Sequence, residues 1–136
     1  MDYGERRIGL ALSDPTGTLA TPLTTLTYRK GKRPPLNQVE QIARDSSVER
    51  IVIGLPLDLS GGETDRCAVV RDIGRKLSER LEVPVDYVDE RMTSVRAERM
   101  VRSSGLPRSE RERKERVDAA AAAQILQAWL DGPRTS

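Results

Sequence analysis

Apolar positions along this chain recur with two different periods, and the switches between them mark out strands and helices. Ile8 to Ser13 alternates as a strand entered through Gly4. Pro22 to Tyr28, rich in Thr and Leu, reads as another, so the N-terminal part is expected to form an antiparallel meander. Pro34-Pro35 then introduces Leu36, Val39, Ile42 and Ala43 at helical spacing. Glu49 to Leu55 carries the continuous run Ile51-Val52-Ile53, closed by Gly54 and Pro56, and such a strand is normally covered on both faces. Ser60-Gly61-Gly62 breaks the chain before a helix bearing Val69, Val70, Ile73 and Leu77, and Val83 to Val88 makes a second buried strand ending at Asp89-Glu90. Thr93 or Ser94 is the expected N-cap of a helix that stops near Ser104-Gly105, and a last helix is expected from about Glu112 to Leu130. Meander strands followed by strand–helix alternation predict an α/β fold: a mixed sheet with helices on its faces.

The 136 residues suit one domain, 1–136, able to bury a sizeable core. No run of about 18 apolar residues and no signal-peptide pattern stand in the sequence, which predicts neither a membrane span nor export, and a cytoplasmic protein. The one cysteine, Cys67, cannot form an internal disulfide and excludes a multi-cysteine zinc site; inside an amphipathic helix it should pack as a small apolar group. The chain has no histidine, which removes the Ser-His-Asp and Cys-His nucleophile arrangements. With a net charge of only +2, nucleic-acid binding has to be argued from where the cations lie. Arg29, Lys30, Lys32 and Arg33 form a short basic loop, while the absence of Phe leaves no platform for stacking several bases.

Chemistry therefore falls to carboxylates. Asp2 and Glu90 each sit at the edge of a strand, where functional side chains of α/β sheets are commonly delivered. Asp118 lies in the last helix on the face shared by Ala121, Ala122, Ile125 and Trp129, so it points with the apolar stripe toward the sheet. A buried carboxylate calls for a bound cation or an arginine. Three carboxylates without histidine make a hard oxygen donor set suited to Mg²⁺ or Mn²⁺; two such ions, about 3.5 to 4 Å apart, favour phosphodiester hydrolysis. Taken singly, each acid also has a plain structural explanation: Asp2 a terminal charge, Glu90 a partner of Arg91 or Arg96, Asp118 a helix-edge acid. Arg7, Arg91, Arg96, Arg99 and Lys114 are the expected contacts to a nucleic-acid backbone, with solvated helix charge as the alternative for the arginine row. Gly4 and Gly9 are read as serving a turn and a close backbone approach.

These residues resemble a known family. Asp2-Tyr3-Gly4 with Arg7-Ile8-Gly9, Ala11 and Ser13-Asp14, then Ala20-Thr21-Pro22, Ile53-Gly54-Leu55-Pro56, Asp89-Glu90-Arg91-Met92-Thr93, and Asp118 with Ala121-Ala122 and Ile125-Leu126-Gln127 are similar, in order, to the YqgF/RuvX family. The resemblance implies a ribonuclease H-like fold with a five-stranded mixed sheet, related to Holliday junction resolvases. It also implies a cytoplasmic nuclease linked to maturation of the 5′ end of 16S ribosomal RNA, and it puts Asp2, Glu90 and Asp118 on the family's three acidic active-site positions. Only Met1 precedes Asp2, where family members carry several apolar residues, so the first strand is expected to lack its start. A junction resolvase acting on branched DNA would need two active sites, hence a homodimer. Two readings of other classes stand beside these. One is a nucleotide-binding phosphotransferase, because the Asp-x-Gly turn resembles the phosphate motif of the actin and sugar-kinase superfamily, although 136 residues supply one copy of a fold that those proteins carry twice. The other is a catalytically inactive nucleic-acid-binding module.

Overall fold

The computed structural model describes residues 1–92 and 110–132, with side chains throughout except at Met92 and residues 110–116. The expected helix between Thr93 and Gly105, with Arg96 and Arg99, lies outside the described residues, as does the side chain of Lys114.

Strand β1 (Asp2–Tyr3) turns through Gly4 into β2 (Arg7–Ser13), and β2 turns into β3 (Ala20–Thr27). The three pair antiparallel in the order β1-β2-β3, which is the expected meander. The first turn is closed by the Gly4 N–H donating to the Arg7 carbonyl at 2.9 Å, with no room for a side chain at Gly4. The second, Asp14 to Leu19, is held by the Asp14 carboxylate, which accepts from the Thr18 N–H at 2.7 Å, the Leu19 N–H at 3.0 Å and the Thr16 hydroxyl at 2.6 Å. Strand β3 begins at Ala20, earlier than its apolar pattern indicates. The register shifts between Leu10 and Ala11, where Ala11 faces Pro22 and Leu10 faces Thr24. Pro22 has no N–H for the ladder, and the bulge accommodates it.

Helix α1 (Leu36–Asp45) leads to β4 (Ile51–Leu55), and α2 (Asp65–Leu81) leads to β5 (Val85–Asp89), which pairs parallel to β4. Thr64 caps α2, its hydroxyl accepting from the Cys67 N–H at 3.3 Å. A turn of 3₁₀ helix, Glu90–Met92, follows β5, and α3 (Glu110–Asp131) completes the order.

Among the described residues, five strands form a three-stranded antiparallel sheet and a two-stranded parallel one, not the single five-stranded sheet expected. The reason is the brevity of β1, which has two residues with which to bridge its neighbours. What joins the two sheets is Met1, whose amino group donates to the Val52 carbonyl at 2.6 Å while its carbonyl accepts from the Gly54 N–H at 3.1 Å. Beyond Met1, a cavity of about 780 Å³ separates Leu10–Ser13 of β2 from Ile51 and Val52 of β4, with Val39 and Ile42 of α1 and Leu126 and Trp129 of α3 among its other walls.

The main core lies where α1 and α2 cover the sheet. Met1, Ile8, Leu10, Leu36, Val39, Ile53, Leu55, Cys67, Val70, Ile73 and Leu77 form one buried cluster there, with Cys67 packed as the small apolar group its helix pattern predicts. The opposite face is covered by α3 through Ala121 and Ile125 against Val52, with Val88, Leu126 and Trp129 at the margin. Among the described residues no helix is long and apolar enough to cross a membrane.

Candidate active site

Small residues decide how closely α3 approaches the sheet. Asp2 pairs with Gly9 across β1 and β2, so both project to the same face, and a Cβ built at Gly9 would collide with the Asp118 carbonyl. Bare glycine backbone therefore lets the helix lay Asp118 directly over the ladder beside Asp2. On the other side of β1, Met1 bridges Ile53, which places Gly54 on the face that Asp2 uses. A Cβ at Gly54 would stand 2.9 Å from Glu90 Oε1 and 2.6 Å from Ile125 Cδ1. Glu90 thus folds back from the 3₁₀ turn over Gly54, and the row Gly9–Asp2–Gly54 collects one acid from a strand, one from the turn after β5 and one from α3. These three are the buried charged side chains among the described residues: Asp2 is 3% exposed, Glu90 7% and Asp118 6%. Gly4 and Gly9 serve the turn and the close approach expected of them, and Gly54 opens the space for Glu90.

Counter-charges lie close to the trio. Arg7, the first residue of β2, donates through Nε to Asp118 Oδ2 at 2.6 Å, its side chain 31% exposed and that of Asp118 9%. This is the arginine partner that an inward-facing helix acid calls for. Asp2 and Glu90 act together on another cation, the Met1 amino group. Burial pushes that amine down to about 6, and the two carboxylates oppose the shift. The chemistry of the donor set, three buried carboxylates without nitrogen or sulfur, fits a hard divalent cation. In the arrangement seen, however, no group of three or more Asp, Glu or Cys side chains among the described residues is placed to hold a metal ion.

Arg91 does not pair with Glu90. Its guanidinium embraces the Asp89 carboxylate, with Nη2 at 2.7 Å and Nε at 3.0 Å from Oδ2, and its Nη1 donates to the Leu59 carbonyl at 3.2 Å. Gly61, at φ +91°, lies against the same guanidinium. The loop beneath it is organised by Asp58, whose Oδ1 accepts from the Ser60 hydroxyl at 2.7 Å and the Gly62 N–H at 2.8 Å; these bonds hold that carboxyl below its usual range. Arg91 is 34% exposed in its side chain and so ties the turn that carries Glu90 to the rim of the cleft. In the basic loop, Lys30 reaches Glu5 at 3.3 Å.

The roles of three supports of the site were not read from the sequence. Arg66 of α2 donates to the Tyr3 carbonyl at 3.1 Å and stacks over the Tyr3 ring at 5.3 Å, fixing the strand next to Asp2. Gln127 of α3 accepts from the Ala20 N–H and donates to the Thr18 carbonyl, each at 2.9 Å, which pins the helix to the β2–β3 turn. The third is the Asp58 loop. Its Asp-x-Ser-Gly-Gly spacing is an Asx-turn signal legible in advance, whereas Arg66 and Gln127 act on backbone far along the chain and leave no local signature.

The RuvX family, described as Holliday junction resolvase, matches residues 1–132. A protein of Syntrophomonas wolfei is 42% identical over 132 residues, covering 97% of this chain and 92% of its own length. One from Chloroflexus aurantiacus is 40% identical over 136 residues, covering 100% and 87%. One from Anaeromyxobacter sp. (strain K) is 42% identical over 131 residues, covering 96% and 93%. Each of the three bears the name "Putative pre-16S rRNA nuclease".

Proposed function

From the premise that this chain belongs to the RuvX family, we propose that it is a ribonuclease H-like nuclease that hydrolyses phosphodiester bonds at the 5′ end of precursor 16S ribosomal RNA, in the cytoplasm where ribosomes are assembled. The observation that carries this reading is the burial of Asp2, Glu90 and Asp118 on one face of the sheet, beneath a helix admitted by Gly9 and Gly54. A fold does not bury three carboxylates on one face for stability, because each loses hydration that a packed apolar residue would not need. A site for Mg²⁺ or Mn²⁺ justifies them. Asp2, Glu90 and Asp118 would hold the ions, and a bound divalent ion supplies charge neutralisation and a more acidic water.

The reaction adds water across a P–O bond, leaving a phosphate on one fragment and a hydroxyl on the other. With no histidine in the chain, the carboxylates orient the attacking water and the exposed arginines hold the backbone. Arg91, fixed by Asp89 and Leu59 at the rim, presents its remaining N–H groups to phosphate oxygens, and Arg7 stands beside Asp118. Arg96, Arg99 and Lys114 extend the proposed contact surface.

The family's description favours a second reading, resolution of Holliday junctions in DNA, for which we propose a homodimer. Both substrates offer the same phosphate chemistry, so a parallel assay separates them. A labelled RNA spanning the 5′ end of the 16S sequence and a four-way DNA junction are incubated with the full chain and Mg²⁺ or Mn²⁺. The RNA should be cut and the junction left intact. Symmetric cuts in the junction with the RNA intact would replace the first reading by the second, and cleavage of neither would remove both.

A further inference from the structure

Of the three buried acids, Asp118 has Arg7 as an ion-pair partner. Asp118 is bonded to Arg7 at 2.6 Å, and no three-carboxylate group placed to hold an ion is found among the described residues. We infer that Arg7 is an exchangeable counter-charge: its guanidinium occupies Asp118 until a divalent cation draws that carboxylate toward Asp2 and Glu90, and the released guanidinium then takes a phosphate of the nucleic-acid backbone. This rests on the proposed metal-dependent nuclease.

Four observations carry it. Arg7 and Gly9 project to the same face of β2, so the guanidinium lies on the face where α3 crosses Gly9, the face that Asp2 also uses. The Asp118 side chain is buried and needs a cation at all times, which makes an exchange of cations cheaper than the loss of one. The Arg7 side chain is about a third exposed, so its guanidinium has an exit to solvent and to a bound strand. Its bond to Asp118 is made through Nε, which leaves the two terminal amino groups of the fork for phosphate oxygens.

Exchange fixes the sign of the effect of removing Arg7. A residue that merely orients a metal-binding carboxylate lowers affinity when it is removed, typically by 10- to 100-fold. A residue that competes with the metal raises affinity when removed, here by about tenfold, the order of one charge-assisted hydrogen bond. Reciprocity requires that a bound backbone strand tighten the metal in the parent and not in Arg7→Gln.

The test is a Mn²⁺ titration of the full chain by calorimetry and electron spin resonance, with Asp2→Asn as the control for the site. Arg7→Gln should bind Mn²⁺ about tenfold more tightly than the parent while cutting RNA more slowly. Equal or weaker binding in Arg7→Gln overturns the exchange. Absence of any Mn²⁺ binding sensitive to Asp2→Asn would instead overturn the metal site on which the exchange rests. Nuclear magnetic resonance of the parent needs no variant that folds: the Arg7 Nε–H signal should move from its paired position toward that of a free guanidinium as Mg²⁺ is added. A signal that stays in place while Mg²⁺ binds contradicts the proposal.

Discussion

The two faces of the sheet are built from opposite materials. Under α1 and α2 the side chains are large and apolar, with Ile8, Ile53, Leu77 and Val70 excluded from solvent. Under α3 the sheet offers Gly9, Asp2 and Gly54, and the helix answers with Ala121, Ala122 and Asp118. Side chains interlock on the first face; on the second, backbone approaches backbone, and the space saved is given to three acids. The first face supplies stability and the second consumes it, since buried carboxylates cost hydration that only partners restore.

The largest effect that tests this division falls on the first face. Ile53→Ala deletes a fully buried side chain from the main cluster and should cost about 4 kcal/mol in urea unfolding, within the usual range for such truncations, with the three acids untouched. A loss below about 1 kcal/mol would mean that this face is not the principal core.

Next comes Gly9→Ala on the second face. The added methyl group meets the Asp118 carbonyl, so α3 has to lift from the sheet. A stability loss of about 3 kcal/mol is expected from overpacking against backbone, together with loss of cleavage even where the protein remains folded. Full activity in this variant would show that the helix does not set the acids.

Smallest is an effect belonging to neither face. The Asp14 carboxyl is held down at about 2, first by the Thr16 hydroxyl and then by the Leu19 and Thr18 N–H groups. Because folding lowers its pKa, the turn is stabilised in full above about pH 4, the ordinary aspartate value, and the contribution fades as the pH falls toward 2. Urea midpoints of the parent and Asp14→Ala should therefore differ at pH 6 and converge between pH 4 and 2. A difference that stays constant over that interval would show the carboxylate to be unimportant for the turn.

Much of this division was legible in the chain itself. Ile51-Val52-Ile53 announces a strand covered on both sides, and the spacing of Asp118 to Ala121, Ala122 and Ile125 turns that acid inward. The carboxylates stood out because the chain has no histidine to compete with them. Pairing was less accessible. Nothing local says that Arg91 clasps Asp89 and not Glu90, or that Asp118 is met by Arg7, 111 residues away, because such choices depend on where two remote elements cross. The division into two sheets was hidden for a similar reason: it turns on two backbone bonds at Met1, which carry no side-chain pattern.

The central claim is that the α3 face cleaves phosphodiester bonds through its three acids. Its most direct test is single-turnover cleavage of the 16S precursor RNA with Mn²⁺, comparing the parent with Asp2→Asn, Glu90→Gln and Asp118→Asn at matched folded fractions. Each substitution should slow the reaction by at least about a hundredfold, the scale of losing one electrostatic element of a catalytic site. Cleavage at the parental rate in any two of the three would contradict the account.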